Sequence, residues 1–309
     1  MEIKRLIAPS VLTVILAQSV YWFGFVAVAA IVVALIVGIG ALLIHNQEKL
    51  LYIPVVMGYK TVLDNPVGYR SPAEYGYPYE DFYVKTRDGE KIHGWHIRRP
   101  SPGGAILFCH ENAGNIGLRV TNLVQMSQKL NVDVIAFDYR GYGHSSGQPT
   151  EAGLMIDTQT VYSEYVLPKV TVPIVVYGRS LGGAVALQFA ASSPPRLTGV
   201  IAENTFTSIA DMIGSVFPFL NFSIVKQRCL RLRWHTHEWI ELIKCPLLLL
   251  SGDKDEIVPA SHMRKLAAIC TQKAIPHTFV SFSTGTHNDT WIAGGERYWN
   301  TIQAFLTKT

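Results

Sequence analysis

The stretch Gly178-Arg179-Ser180-Leu181-Gly182 decides the fold, because its G-x-S-x-G pattern lies between a predicted strand and a predicted helix. The preceding run Pro173-Ile174-Val175-Val176-Tyr177 is short and rich in β-branched residues, which indicates a buried strand. Residues 181–191 are mostly small or apolar and predict a helix packed closely on a sheet. A strand, a sharp turn and a helix are the setting in which this motif presents its serine as a nucleophile. The sequence therefore places Ser180 on a turn at the edge of a sheet.

Strands and helices alternate along the rest of the chain after an antiparallel start. The start is a predicted hairpin over 81–97 with its turn at 87–89. Repeated β-α units predict an α/β fold with a mostly parallel central sheet and helices on both faces, whose sites form at the carboxyl ends of the strands. Later strands are predicted at 105–109, 132–137, 174–177, 199–202, 246–250 and 277–282, and helices at 119–129, 151–166, 181–191, 260–271 and 294–306.

Two later loops supply the acid and the base that a serine nucleophile requires. Asp255 and His287 each lie in a loop after a predicted strand, and the order of serine, aspartate and histidine is that of the α/β-hydrolase triad. A serine hydroxyl is a weak nucleophile until an imidazole takes its proton, so we expect His287 to be the base for Ser180. Asp255 is expected to orient the imidazole. Asp253 and Glu256 are the alternatives for that orienting role.

An oxyanion hole would complete such a site, and it needs two backbone amides. One should be the amide of Leu181, directly after the nucleophile, and the other should come from the loop after the third strand. That loop reads His110-Glu111-Asn112-Ala113-Gly114-Asn115, and Asn112 is our candidate for the second amide.

These motifs together resemble those of the α/β-hydrolase domain-containing family, in the branch that holds the domain-containing protein 13 type and the fungal bud-emergence hydrolases. The resemblance covers about residues 79–306, and an N-terminal membrane segment also fits that branch. It implies the α/β-hydrolase fold and a serine hydrolase activity. The segments that carry it are, in chain order, 110–115, Asp138-Tyr139-Arg140-Gly141-Tyr142-Gly143-His144-Ser145, 178–183, Glu203-Asn204-Thr205-Phe206-Thr207-Ser208, 255–259 and Gly285-Thr286-His287-Asn288-Asp289-Thr290.

One position departs from the family pattern. The family usually has glycine after the histidine of the oxyanion loop, and this chain has Glu111. A carboxylate near an oxyanion would oppose the charge that develops there. We therefore expect Glu111 to alter the oxyanion geometry or the rate.

The N-terminal segment 6–44 contains no charged residue and predicts a membrane-embedded stretch. As one helix it would be about 58 Å long, whereas the hydrocarbon core of a bilayer is about 30 Å thick. Gln18 and Ser19 suggest a division into a main span over about 20–44 and a shorter piece that lies in the interface or enters partway. A two-helix hairpin is the alternative.

The chain is therefore expected to comprise a membrane anchor at 1–45, a linker at 46–79 and a catalytic domain at 80–309. Within that domain, 204–243 is long for a connection between strands and predicts a cap. Its apolar side chains either line an acyl pocket or only cover the domain's own core. They are Phe206, Met212, Ile213, Phe217, Pro218, Phe219, Phe222, Trp234 and Trp239.

We expect a single-pass membrane-anchored serine hydrolase that cleaves a lipid-like ester or the thioester of an S-acylated protein. Its partners would be that acyl substrate and the lipid bilayer, in the endoplasmic reticulum or the plasma membrane, with the side of the catalytic domain left open. No cofactor or metal is expected. No nucleic-acid partner is expected either, because the net charge is only +4 and both signs are dispersed without a basic stripe. The alternative is a catalytically weak or inactive membrane scaffold with a hydrolase fold, for which Glu111 is the main argument.

Overall fold

The structure is a computed structural model that describes residues 3–216, 222 and 228–309, with the backbone alone at 3–10, 12 and 216. The chain forms two compact units, Met1–Leu50 and Leu51–Thr309.

The first unit consists mainly of one helix, α1, Ile3–His45. At 1.5 Å per residue it is about 65 Å long, and its stretch Thr13–His45 is long and apolar enough to cross a membrane. The helix runs through Gln18 and Ser19 without a break, so the two-helix hairpin is wrong. The reason is local, because the Ser19 hydroxyl donates to the Ile15 carbonyl one turn back at 2.8 Å and is satisfied within the helix. A five-residue helix α2, Gln47–Leu51, follows.

The second unit is built on one eight-stranded sheet with the order β1-β2-β4-β3-β5-β6-β7-β8. β2 is antiparallel to both β1 and β4, and the remaining neighbours are parallel, which confirms the predicted fold class. The strands are β1 Tyr79–Lys85, β2 Lys91–Ile97, β3 Ala105–Cys109, β4 Asp133–Phe137, β5 Ile174–Arg179, β6 Leu197–Glu203, β7 Leu247–Gly252 and β8 His277–Phe282.

Helices cover both faces of the sheet. Along β3, Leu107 belongs to the apolar core on one face, whereas Ile106 and Phe108 belong to the core on the other. The helices are α3 Val120–Leu130, α4 Glu151–Thr160, α5 Leu167–Lys169, α6 Leu181–Ala191, α7 Ile209–Val216, α8 Thr236–Trp239, α9 Ser261–Gln272, α10 Thr290–Ala293 and α11 Gly295–Leu306, with a π-helical segment Val161–Val166 between α4 and α5 and short 3₁₀ segments at Pro72–Tyr75, Ile116–Arg119 and Ile240–Leu242.

The segment 204–243 contains α7 and α8 and is described only in part. Phe217, Pro218 and Phe219, which sequence reasoning assigned to the cap, lie outside the described residues. Phe206 and Trp234 are buried in the core beside α6, so these two aromatic residues stabilise the domain itself.

Candidate active site

Ser180 occupies a strained turn between β5 and α6. Its φ of 55° and ψ of −123° lie where a residue with a side chain is disfavoured. The turn is possible because its neighbours lack side chains: a Cβ on Gly178 would collide with the Gly182 carbonyl group, and a Cβ on Gly182 would collide with the Cys109 carbonyl group. The two glycines of the motif thus permit the sharp turn that raises the serine from the sheet edge.

The end of β6 supports this turn. The Ser180 amide donates to the Glu203 carbonyl at 2.9 Å, and the Thr205 hydroxyl donates to the Ser180 carbonyl at 2.7 Å. A Cβ on Gly183 would lie 2.6 Å from the Thr205 Cβ, so glycine is also required at the first turn of α6. A backbone contact from the end of β6 and side-chain contacts from Thr205, in the loop that follows, therefore hold the strained serine in place.

The predicted acid and base form a buried hydrogen bond. The Nδ1–H of His287 donates to Oδ2 of Asp255 at 2.8 Å. The other carboxylate oxygen accepts from the amides of Ile257 and Val258 at 2.9 and 2.7 Å. Because Nδ1 carries the proton, Nε2 of the same ring is the atom that can accept one.

Neither alternative acid contacts the imidazole. Oδ1 of Asp253 accepts from Nη2 of Arg264 at 2.8 Å. Glu256 accepts from the backbone amide of His287 at 3.2 Å. Among the described residues, no hydrogen bond joins the Ser180 hydroxyl to His287, a contact that in substrate-free enzymes often tightens only when substrate binds.

Asn204, which sequence reasoning did not select, joins the acid loop to the base loop. Its Oδ1 accepts from the Gly252 amide at 2.7 Å. Its Nδ2 donates to the carbonyls of Thr286 and His287, both at 3.1 Å, and to the Thr290 hydroxyl at 2.9 Å. The available signal was its position directly after β6, at the same sheet edge as the other loops.

The predicted oxyanion donors lie on two fixed elements. Leu181 is the first residue of α6, where an amide has no partner within the helix. The Asn112 carbonyl accepts from the Ile53 amide at 2.9 Å and from the Tyr142 hydroxyl at 2.8 Å, and the Asn112 side chain donates to the Leu51 carbonyl at 2.9 Å. The oxyanion roles of Leu181 and Asn112 stay predictions.

His110 supports the oxyanion loop as a neutral side chain. It is fully buried, and its Nδ1–H donates to the Glu111 carbonyl at 2.6 Å. Burial lowers the pKa of His110 to about 4. The imidazole is therefore uncharged near neutral pH and fixes the loop through a hydrogen bond.

Glu111 is buried and paired with two arginines. Its Oε2 lies 2.7 Å from Nε of Arg119, and its Oε1 lies 3.1 Å from Nη1 of Arg179, the residue directly before Ser180. Burial alone would raise the pKa of Glu111, but the two guanidinium groups hold that pKa well below its usual range. The carboxylate that the sequence suggested would oppose an oxyanion is thus balanced by two positive charges.

Arg179 continues this pairing into a larger buried network. Its Nε lies 2.8 Å from Oε1 of Glu203, and its Nη2 donates to Oδ1 of Asn122 at 3.1 Å. The hydroxyls of Tyr177 and Tyr298 donate to Oε2 of Glu203 at 2.6 and 2.5 Å. The negative charges of Glu111 and Glu203 are balanced by the positive charges of Arg119 and Arg179, as buried ions require. The network fastens the oxyanion loop to the turn that carries the candidate nucleophile.

This sheet order and this strand-serine-helix turn define an α/β-hydrolase fold, and comparisons with known proteins agree. Residues 100–238 match the family described as serine aminopeptidase, S33. An α/β hydrolase domain-containing protein of Arabidopsis thaliana, WAV2, is 39% identical over 302 residues, which cover 93% of each chain. Protein bem46 of Schizosaccharomyces pombe is 40% identical over 245 residues, which cover 77% of this chain and 80% of that one. The chain belongs to the α/β-hydrolase family.

Other relatives agree with the membrane helix and the fold. An uncharacterised membrane protein of Saccharomyces cerevisiae is 36% identical over 271 residues, covering 86% of this chain and 90% of that one. Among solved structures, the Pyrococcus furiosus esterase Pf2001 superposes with a TM-score of 0.65 at 19% identity, covering 84% of this chain and 97% of that one. The likeness to this esterase concerns the fold alone. The protein is an α/β hydrolase whose N-terminal helix is able to cross a membrane.

Proposed function

We propose that the protein is a membrane-anchored serine hydrolase that cleaves an ester or a thioester through Ser180, His287 and Asp255. The observation that carries the proposal is the buried bond between Nδ1 of His287 and Oδ2 of Asp255, at the sheet edge where Ser180 occupies its strained turn. This arrangement supplies a nucleophile, a base and an orienting acid.

In the proposed reaction, Oγ of Ser180 attacks the acyl carbon and Nε2 of His287 takes the hydroxyl proton. The resulting oxyanion accepts hydrogen bonds from the amides of Leu181 and Asn112. The bond to the leaving group breaks as His287 returns the proton to the departing alcohol or thiol, which leaves an acyl-enzyme. Water then attacks this ester with His287 again as base, and releases a carboxylic acid and free Ser180.

The proposed substrate is a lipid-like ester or the thioester of an S-acylated protein. A helix able to cross a membrane supports this choice, because it would keep the catalytic unit beside acyl chains. Glu111 was the main argument for the scaffold alternative. The pairing of that carboxylate with Arg119 and Arg179 supports the hydrolase instead, because it neutralises the charge. As part of the same proposal, the protein resides in the endoplasmic reticulum or the plasma membrane, which imaging of a tagged full-length chain tests.

Labelling of the full-length protein with a fluorophosphonate tests the nucleophile. The wild type should be labelled covalently, and Ser180→Ala should not be labelled. Ser251→Ala is the matched control, since the buried Ser251 hydroxyl has no hydrogen-bond partner in the described structure and its loss should leave labelling intact. Labelling that persists in Ser180→Ala would overturn the proposal. Turnover of matched thioester, ester and anilide substrates then identifies the bond that is cleaved.

A further inference from the structure

The residues that follow the membrane helix expose an unusual concentration of aliphatic side chains. Five large aliphatic side chains within residues 53–67 have exposed fractions from 41% to 86%. In the rest of the described part of the second unit, only Leu242, Ile257 and Ile292 are large aliphatic residues that are exposed to a similar degree. Clustered exposure of this kind marks an interaction surface, whereas scattered single residues do not. The docking surface is defined as Ile53, Val55, Met57, Leu63 and Val67.

Met57 forms the tip of this surface. Val56 and Tyr59 exchange backbone hydrogen bonds of 3.2 and 2.8 Å, which closes a two-residue turn around Met57 and Gly58. Both central residues have positive φ, 51° and 86°, a conformation that favours asparagine, aspartate or glycine. A methionine is placed there instead, and its side chain, 86% exposed, contributes nothing to the core.

The docking surface is joined to the oxyanion loop. The Ile53 amide donates to the Asn112 carbonyl at 2.9 Å, and the Gly114 amide donates to the Ile53 carbonyl at 2.8 Å. Farther along, the side chains of Asn65 and Asn115 exchange hydrogen bonds of 2.8 and 3.0 Å. Because the oxyanion loop follows the carboxyl end of β3, the surface lies at the same sheet edge as Ser180.

Two further exposed aliphatic residues lie at this edge. Ile257 follows Asp255 in the loop after β7, and Ile292 lies in the short helix α10, which comes directly after the His287 loop. The candidate active site therefore has exposed apolar side chains on its oxyanion side and on its base side.

A lipid bilayer is the partner that fits this surface. The candidate membrane span ends at His45, and residues 46–52 extend by at most about 25 Å, so Ile53 remains within reach of the membrane boundary. The charged side chains over 53–75 are Lys60, Asp64, Arg70 and Glu74, which cancel, so the surface offers no net charge to a charged partner.

We propose that the docking surface enters the interfacial layer of the bilayer that α1 crosses, and thereby holds the active-site edge against the leaflet. The insertion itself does not depend on catalysis. Its consequence, that the hydrolase draws acyl chains directly from the leaflet, rests on the proposed function.

Fluorescence of the full-length protein in zwitterionic phosphatidylcholine nanodiscs tests the insertion. An environment-sensitive label is attached at Met57→Cys in a Cys229→Ser/Cys245→Ser background, because Cys109 and Cys270 are buried. The matched control is Thr171→Cys, an exposed position before the amino end of β5, at the opposite sheet edge.

The label at Met57 should emit at shorter wavelength, lose intensity in brominated lipid and resist quenching by iodide. The label at Thr171 should behave in the opposite way, and added salt should change neither result. Equal behaviour at the two positions would overturn the proposal. Protection of the Met57 label from iodide without quenching by brominated lipid would also overturn it, since another protein or a second copy would then cover the surface.

A variant that introduces two negative charges separates insertion from catalysis. Met57→Asp/Leu63→Asp should abolish lipid quenching of a label at Val67→Cys, and the soluble fluorophosphonate should still label Ser180 at the wild-type rate. Lipid quenching that persists in the aspartate variant contradicts insertion by this surface. Absence of fluorophosphonate labelling in the wild type contradicts the proposed function and leaves the quenching result valid.

Discussion

The two sides of the candidate active site are held by different forces. On the oxyanion side, buried ion pairs join Glu111, Arg119, Arg179 and Glu203. On the base side, the neutral amide of Asn204 makes four hydrogen bonds that tie the acid and base loops together. Removal of one partner leaves an uncompensated charge on the first side and unsatisfied hydrogen-bonding groups on the second. The first loss is expected to cost more stability, because a buried charge is harder to desolvate than a buried dipole.

The largest expected effect is a loss of turnover. It arises on the base side, from a substitution that leaves the hydrogen bonds of Asn204 in place. Asp255→Asn keeps an oxygen for the amides of Ile257 and Val258, but it no longer fixes the Nδ1–H tautomer of His287. Turnover should fall by about 10⁴. Steady-state kinetics measures this against Asp253→Asn, whose partner Arg264 lies near the surface, and which should stay within a few-fold of the wild type. Equal losses in both variants would contradict the assignment of the acid.

The next largest expected effect is a loss of stability when an ion pair on the oxyanion side is removed. Arg179→Met leaves the buried carboxylates of Glu203 and Glu111 without a shared partner and should lower the free energy of unfolding by about 3–5 kcal/mol. Denaturant unfolding of the full-length protein in micelles measures the loss. Arg179→Lys retains the charge without the planar group and should lose less. A methionine variant as stable as the wild type would show that this pairing does not stabilise the fold.

A smaller loss of stability is expected when the hydrogen bonds of Asn204 on the base side are removed. Asn204→Ala removes four hydrogen bonds and should lower the free energy of unfolding by about 1–3 kcal/mol, because it leaves buried groups unsatisfied. Asn204→Asp keeps an acceptor for the Gly252 amide but loses the donors to the base loop, so it should also impair turnover. If the alanine variant is less stable than Arg179→Met, the ranking of the two sides is reversed.

The smallest expected effect is a pH dependence of stability, which should arise on the oxyanion side and not on the base side. The folded-state pKa of Glu111 is lowered, so its pairing contributes stability above the ordinary carboxyl pKa of 4.5 and loses it as pH falls below that value. The stability difference between the wild type and Glu111→Gln should therefore shrink by at most about 1.4 kcal/mol per pH unit below 4.5. Paired unfolding curves from pH 7 to pH 3 measure it. The difference between the wild type and Asn204→Ala should stay constant over this range, and parallel changes in both would contradict the argument.

Local sequence patterns were sufficient for much of the molecule. The β-branched run before Ser180 and the turn glycines encode the strand-turn-helix unit through short-range sterics, and the loops that carry Asp255 and His287 follow equally regular strands. The ion pair between Glu111 and Arg179 was not predictable, because the two residues are 68 positions apart and meet only when β3 and β5 pair. The hairpin alternative for the membrane segment failed at Ser19, whose hydroxyl is satisfied by its own helix.

The pairing of Glu111 also constrains how this family can change its sequence. A change to glycine at position 111 deprives Arg119 of its carboxylate, and loss of Arg119 leaves Glu111 with Arg179 alone. We expect each exchange to be harmful by itself and tolerated when the other accompanies it, which would make the two positions epistatic. Relatives with glycine at 111 are therefore expected to carry an uncharged residue at 119. An arginine directly before the serine is expected in relatives of either kind, because it also pairs with the buried Glu203.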